Sequence, residues 1–176
     1  MILNSVQPGW DWGTGDDAFA DVAVLVLPKG NHLTGIPLGG KATAGRWVRL
    51  LGWGKTTIDA TEPPPVLQQL DTRLTEASDC AAAGITAGEI CVAPAANGGQ
   101  ACFGDSGGPA LGRTAHGWVL LGGASRETSE DCTGPTVYTD EHYWASWIED
   151  ALTRRQPHHA RHVAAGAATR FTSLTR

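Results

Sequence analysis

Apolar residues in this chain come in short runs separated by turn formers. Residues 21–28 form an apolar run, Asp21-Val22-Ala23-Val24-Leu25-Val26-Leu27, closed by Pro28. Further runs fall at 47–54, 67–74, 89–92, 118–122 and 135–138, with glycine, proline, serine and asparagine between them. Runs of four to eight residues punctuated in this way predict strands, and strands at such spacing predict a barrel or a sandwich. The period then changes. Trp144, Trp147, Ile148 and Ala151 stand at i, i+3, i+4 and i+7, on one face of a helix, so a single amphipathic helix closes the domain. Residues 1–19 are polar and turn-rich around Trp10 and Trp12. From Arg154 to the end no apolar periodicity remains, and 154–176 is expected to be a disordered tail.

Composition sharpens the class without naming a function. With 176 residues the chain has enough length for one domain, and an apolar share of 41% with 23 Gly and 10 Pro fits a turn-rich β protein. A net charge of -5 supplies no surplus of cations for neutralising phosphates, which argues against a nucleic-acid partner. No stretch approaches the roughly 18 apolar residues of a membrane span, so no membrane partner is expected. The four cysteines, Cys80, Cys91, Cys102 and Cys132, include no C-x-x-C pair and no histidine at metal-ligand spacing, so two disulfides are expected and no metal site. Disulfides persist in oxidising compartments, which predicts an extracellular protein, yet the first six residues lack the basic segment and apolar core of a signal peptide.

Chemistry concentrates in one segment, Cys102-Phe103-Gly104-Asp105-Ser106-Gly107-Gly108-Pro109-Ala110. Glycines around a serine let the backbone take dihedrals that other residues resist and approach a reacting carbonyl closely. A glycine-rich turn with an internal serine is common by itself. The hexapeptide from Gly104 to Pro109, one residue after a cysteine, is far more specific, and it resembles the active-site segment of the chymotrypsin/trypsin family. That resemblance implies that Ser106 is the nucleophile, that the N–H groups of Gly104 and Ser106 form an oxyanion hole, and that Asp105 is the buried carboxylate receiving a new N-terminal ammonium on zymogen activation. Asp21 before its apolar run resembles the triad aspartate strand, with Asp16 and Asp17 as the nearest rivals. Leu51-Gly52-Trp53-Gly54, Pro135-Thr136-Val137-Tyr138 and Trp147-Ile148 resemble three further family segments. The likeness runs from about Asp21 to about Leu152. It implies an all-β, trypsin-like double β-barrel fold with the first barrel largely missing, and a C-terminal α-helix. It also implies the pairs Cys80 with Cys91 and Cys102 with Cys132, each loop closure contributing roughly 3 kcal/mol.

The resemblance implies a serine endopeptidase acting on proteins or peptides, without a cofactor, and monomeric when intact. Its domains are a remnant of the first barrel over 1–35, the second barrel and helix over 36–153, and the tail over 154–176. The departures lie mostly on one side. Only 20 residues precede Asp21, none of them histidine, and His32, His116, His142, His158, His159 and His162 all follow it, outside the family's histidine context. The expectation is therefore a late start, with signal peptide, activation site and histidine upstream, and an inactive chain as given. A non-catalytic serine protease homologue, acting as a binding module or surviving as a gene relic, is the alternative. In the substrate pocket, Gln100 takes the place where a trypsin has aspartate, so selectivity for Arg or Lys is not expected. Thr136 replaces a frequent glycine, and Ser125, Arg126 and Glu127 stand in for a Ser-Trp-Gly stretch. Ser125 fits the family, and Glu127 is either a rim charge or a solvated acid.

Overall fold

A computed structural model describes residues 21–24 and 33–153 of the chain. Six strands close into a barrel in the order β1-β2-β3-β6-β5-β4, every pairing antiparallel. They are β1 (Trp47–Gly52), β2 (Gln68–Thr75), β3 (Glu89–Val92), β4 (Pro109–Thr114), β5 (Gly117–Glu127) and β6 (Thr136–Asp140). A short 3-10 helix, Ala77–Ala83, precedes β3, and the helix α1 (Ala145–Thr153) follows β6. The all-β architecture with one closing helix is as expected. Of the strand expected over 21–28, residues 21–24 carry no ladder pairing, and the remainder lies outside the described residues, as do the tail over 154–176 and most of the segment 1–35.

The pattern of the runs explains the barrel's inside. In β1, Val48 and Leu50 point inward and are buried while Trp47 lies in water, the alternation that a strand with one buried face requires. Leu74, Val92, Ala110, Leu121 and Tyr138 complete the core from the other strands. Small residues mark where strands crowd. Ala110 is fully buried beside a bulge in the β4–β5 register, and β5 bulges again between Ala124 and Arg126. A bulge re-aims the residues around it, and this second one lies beside the glycine-rich turn.

A satellite cluster forms under the 3-10 helix, where Cys80, Cys91 and Val137 are buried together. The disulfide Cys80–Cys91 crosses it with Cα atoms 5.8 Å apart. Gly84 closes the helix in the left-handed region at φ 63°, where its N–H donates to the Ala81 carbonyl. At the other end of the chain, Asp140 Oδ1 accepts from the His142 and Tyr143 N–H groups at 2.9 and 3.3 Å, an Asx turn that leads into α1. The Trp144 indole ties this turn back to the barrel by donating to the Gly88 carbonyl at 3.1 Å.

Candidate active site

The segment 102–108 is a pair of tight turns feeding β4. Asp105 N–H donates to the Cys102 carbonyl at 2.9 Å and Gly108 N–H to the Asp105 carbonyl at 2.7 Å. Gly104 and Gly107 adopt φ of 96° and 76°, a region costly for any side chain, which is why glycine brackets the serine. Ser106 is exposed at the crest. Among the described residues, the N–H groups of Gly104 and Ser106 donate to no other group of the chain. Two free N–H groups flanking an exposed hydroxyl are what an oxyanion site needs.

Three anchors hold the turn. The Asp105 carboxylate folds back under it, accepting from Gly54 N–H at 2.8 Å through Oδ1 and from Cys102 N–H at 3.0 Å through Oδ2. The carboxylate fills the space where side chains at Gly52 and Gly54 would begin, so the Gly52-Trp53-Gly54 loop and the serine turn are shaped to each other. On the far flank, Gly107 N–H donates to the Ala124 carbonyl at 2.8 Å and Ala124 N–H to the Gly108 carbonyl at 2.9 Å. The disulfide Cys102–Cys132 then ties the turn to the loop 128–135, with Cα atoms 5.5 Å apart. Both cysteine pairs are those that the family resemblance implied.

Asp21 sits half-buried on the β6 side, where its main-chain carbonyl accepts from Thr139 Oγ1 at 2.9 Å. Nearby Val24 is buried, so this segment packs onto the barrel although it joins no ladder. No hydrogen bond links Asp21 to Ser106. Of the histidines, His116 lies exposed in the β4–β5 turn, with its N–H bonded to Thr114 Oγ1 at 3.1 Å, and His142 lies exposed before α1. Neither bonds to Ser106 or Asp21, and the other four lie outside the described residues.

A cavity of about 340 Å³ opens beneath the turn, lined by Leu50, Gly54, Leu70, Gln100, Asp105 and Tyr138 among others. Of the four expected pocket residues, only Gln100 lines it. Ser125, Glu127 and Thr136 sit on β5 and β6 away from its wall. Both polar atoms of the Gln100 amide and the Thr136 hydroxyl are buried without a hydrogen-bond partner among the described residues. Tyr138 was legible in the sequence only as a strand residue. Burial, with the nearby charges of Asp105 and Glu127, pushes its phenol well above the ordinary range, so it stays protonated.

Arg126 leaves the pocket altogether. The bulge at Ser125 turns it toward the 3-10 helix, where its guanidinium donates to Ala83 and Gly84 carbonyls and, at 2.5 and 2.9 Å, to the carboxylate of Glu89. The Glu89 side chain is 0% exposed, so this is a charge pair set in the barrel wall. Nothing in the spacing of residues 89 and 126 signals the pairing.

The closed antiparallel barrel and the serine turn braced by an aspartate and a disulfide describe a chymotrypsin-like hydrolase domain. The trypsin family model matches residues 6–148, and the chain belongs to that family. It is 32% identical over 114 residues to serine protease 1 of Rattus norvegicus, covering 63% of this chain and 45% of that protein. Against trypsin I-P38 of Gallus gallus it is 30% identical over 142 residues, covering 76% of this chain and 56% of the relative. The chain thus spans about half the length of these curated relatives. The fold matches the solved structure of neuropsin, a serine protease expressed in the limbic system of mouse brain, with a TM-score of 0.72 at 24% identity over 86% of this chain and 71% of that one. Among the described residues no helix is long and apolar enough to cross a membrane.

Proposed function

We propose that this chain carries the nucleophile and oxyanion half of an extracellular serine endopeptidase. The single observation behind the reading is the turn itself: an exposed Ser106 between two free N–H groups, fixed from below by Asp105. In the reaction, Ser106 Oγ attacks the scissile carbonyl, its proton passes to a base, and the Gly104 and Ser106 N–H groups receive the developing oxyanion. The C–N bond then breaks, the amine leaves carrying a proton, and water hydrolyses the acyl-enzyme. Asp21 is the acid that would orient a histidine base. Gln100, Ser125, Glu127 and Thr136 would shape the substrate pocket, whose floor lacks the counter-charge for Arg or Lys. The two disulfides support an extracellular site of action. Substrates are proteins or peptides, the intact protein is monomeric, and no cofactor enters the chemistry.

The absence of a histidine bonded to Ser106 among the described residues favours inactivity of the chain as it stands, and keeps a second reading: a non-catalytic homologue that binds without cleaving. Triad members act as a unit, so a serine without its base retains little rate. An external base separates the two. A fluorophosphonate probe should leave the chain unlabelled in plain buffer and label it when imidazole at about 0.5 M stands in for the missing base, with Ser106→Ala abolishing the label. No labelling under imidazole, or labelling that survives Ser106→Ala, would remove Ser106 as nucleophile and leave the binding module.

A further inference from the structure

We propose that the outer face of the barrel at the end away from Ser106, built on Arg73, Trp47, Arg113 and Trp118, docks a short acidic segment of a partner polypeptide. The inference is independent of the chemistry at Ser106. Paired residues on neighbouring strands share a face of the sheet, and here the register sets up an alternating row. Arg73 of β2 stands opposite Trp47 of β1, and Arg113 of β4 opposite Trp118 of β5. Trp47 comes one step beyond the Val48–Gly112 pair, which brings it beside Arg113. Val48 is buried in the core, so its neighbour Trp47, at 56% exposure, faces water and the row with it. The Arg73 guanidinium lies 4.0 Å from the centre of the Trp47 ring, and those of Arg113 and Arg49 lie 5.0 and 5.1 Å from that of Trp118.

Three arginines on one face reverse the sign of a chain that has 13 Lys and Arg against 18 Asp and Glu. One carboxylate, Asp71, stands among them opposite Arg49, and it shows which ligand the face prefers. It takes the Arg49 guanidinium at two points, 2.7 and 2.6 Å, and these hydrogen bonds hold its carboxyl below the ordinary range. Arg113 has no such partner among the described residues, and Arg73 spends one N–H group on the Gly45 carbonyl at 3.0 Å. Stacking on indole holds a guanidinium by its face and leaves its edge donors clear, so less side-chain freedom is lost on binding. The row crosses four strands, about 14 Å, and a long polyanion would run beyond it over a chain of net negative charge. A short acidic peptide fits that span and offers the planar carboxylates that Asp71 exemplifies. Arg113 lies about 13 Å along β4 from Pro109, so a docked segment leaves the serine turn open.

The test uses the full chain, labelled with nitrogen-15, and a capped peptide of about eight residues alternating glutamate with glycine, its glutamine counterpart serving as control. The glutamate peptide should bind about tenfold tighter than the control and shift the Trp47 and Trp118 indole resonances, and its affinity should fall about tenfold between about 0.05 and 0.5 M salt. Arg113→Gln alters an exposed side chain and should weaken binding about fivefold. Arg113→Lys should restore only part of the loss, because an ammonium lacks the two-point fork. Equal affinity for the two peptides, unchanged affinity in Arg113→Gln, or shifts centred away from the two tryptophans would overturn the surface. A heparin hexasaccharide that binds these residues more tightly than the glutamate peptide would overturn the polypeptide as occupant. The shifts in the unmodified chain read the surface without any substitution.

Discussion

Asp105 and Gln100 line the same cavity five residues apart, and the fold treats them in opposite ways. Asp105 receives two main-chain N–H groups, one from a loop 51 residues away, and two glycines clear its space. Gln100 has an amide whose two polar atoms are buried with no hydrogen-bond partner among the described residues, and Thr136 on β6 repeats the condition with its hydroxyl. A buried polar group without a partner forfeits the bonds it made to water, at about 1–3 kcal/mol each. The contrast shows where this molecule is finished. The turn that carries Ser106 is held to one geometry by main-chain bonds, whereas Gln100 and Thr136 keep polar atoms that no other described residue satisfies.

Breaking the finished side should have the largest effect. Gly54→Ala puts a methyl group into the Asp105 carboxylate and disrupts its hydrogen bond, so the chain should lose about 3 kcal/mol or more in urea titration, together with any imidazole-dependent labelling of Ser106. A variant of unchanged midpoint would mean that the two loops are less tightly matched than described. On the unfinished side the sign reverses. Thr136→Val keeps the shape and deletes an orphan hydroxyl, and should raise stability by about 1 kcal/mol, seen as a higher melting temperature; a loss would show that the hydroxyl has a partner in solution.

Glu141 supplies the smallest and most selective test, because it is a carboxylate that, among the described residues, has no hydrogen-bond donor of the kind Asp105 enjoys. Burial, and then the neighbouring charge of Asp140, raises its proton affinity in the folded chain. The folded state therefore binds more protons than the unfolded one between the ordinary carboxylate range and the raised value, and stability falls as pH rises through that window. Glu141→Gln should be modestly more stable than the parent at neutral pH, and the difference should vanish as pH drops below the carboxylate range. Parallel stability-versus-pH curves would remove Glu141 as the cause.

Much of this was legible in the residues because it is local. The turn around Ser106 could be read because positive φ demands glycine wherever it occurs. Five strands and α1 could be read because a buried face imposes its own period on the chain. β4 escaped notice: Pro109-Ala110-Leu111-Gly112-Arg113-Thr114 contains a glycine and begins inside the motif that drew attention for its chemistry. Gln100 lines the cavity beneath the turn, while Ser125, Glu127 and Thr136 lie on β5 and β6 around the bulge between Ala124 and Arg126, and the facing that a bulge gives its neighbours depends on the partner strand rather than on any local pattern.

By itself, then, the sequence determined an all-β body with a closing helix, a serine set in a glycine-bracketed turn, and the family to compare it with, because backbone sterics and alternating burial act over a few residues at a time. Only the tertiary structure decided the strand order, the hold of Gly54 on Asp105, the turning of Arg126 toward Glu89, and the orphaned polar atoms of Gln100 and Thr136. Those outcomes depend on which distant groups a closed barrel brings within about 3 Å of each other, and no local period or spacing encodes that distance.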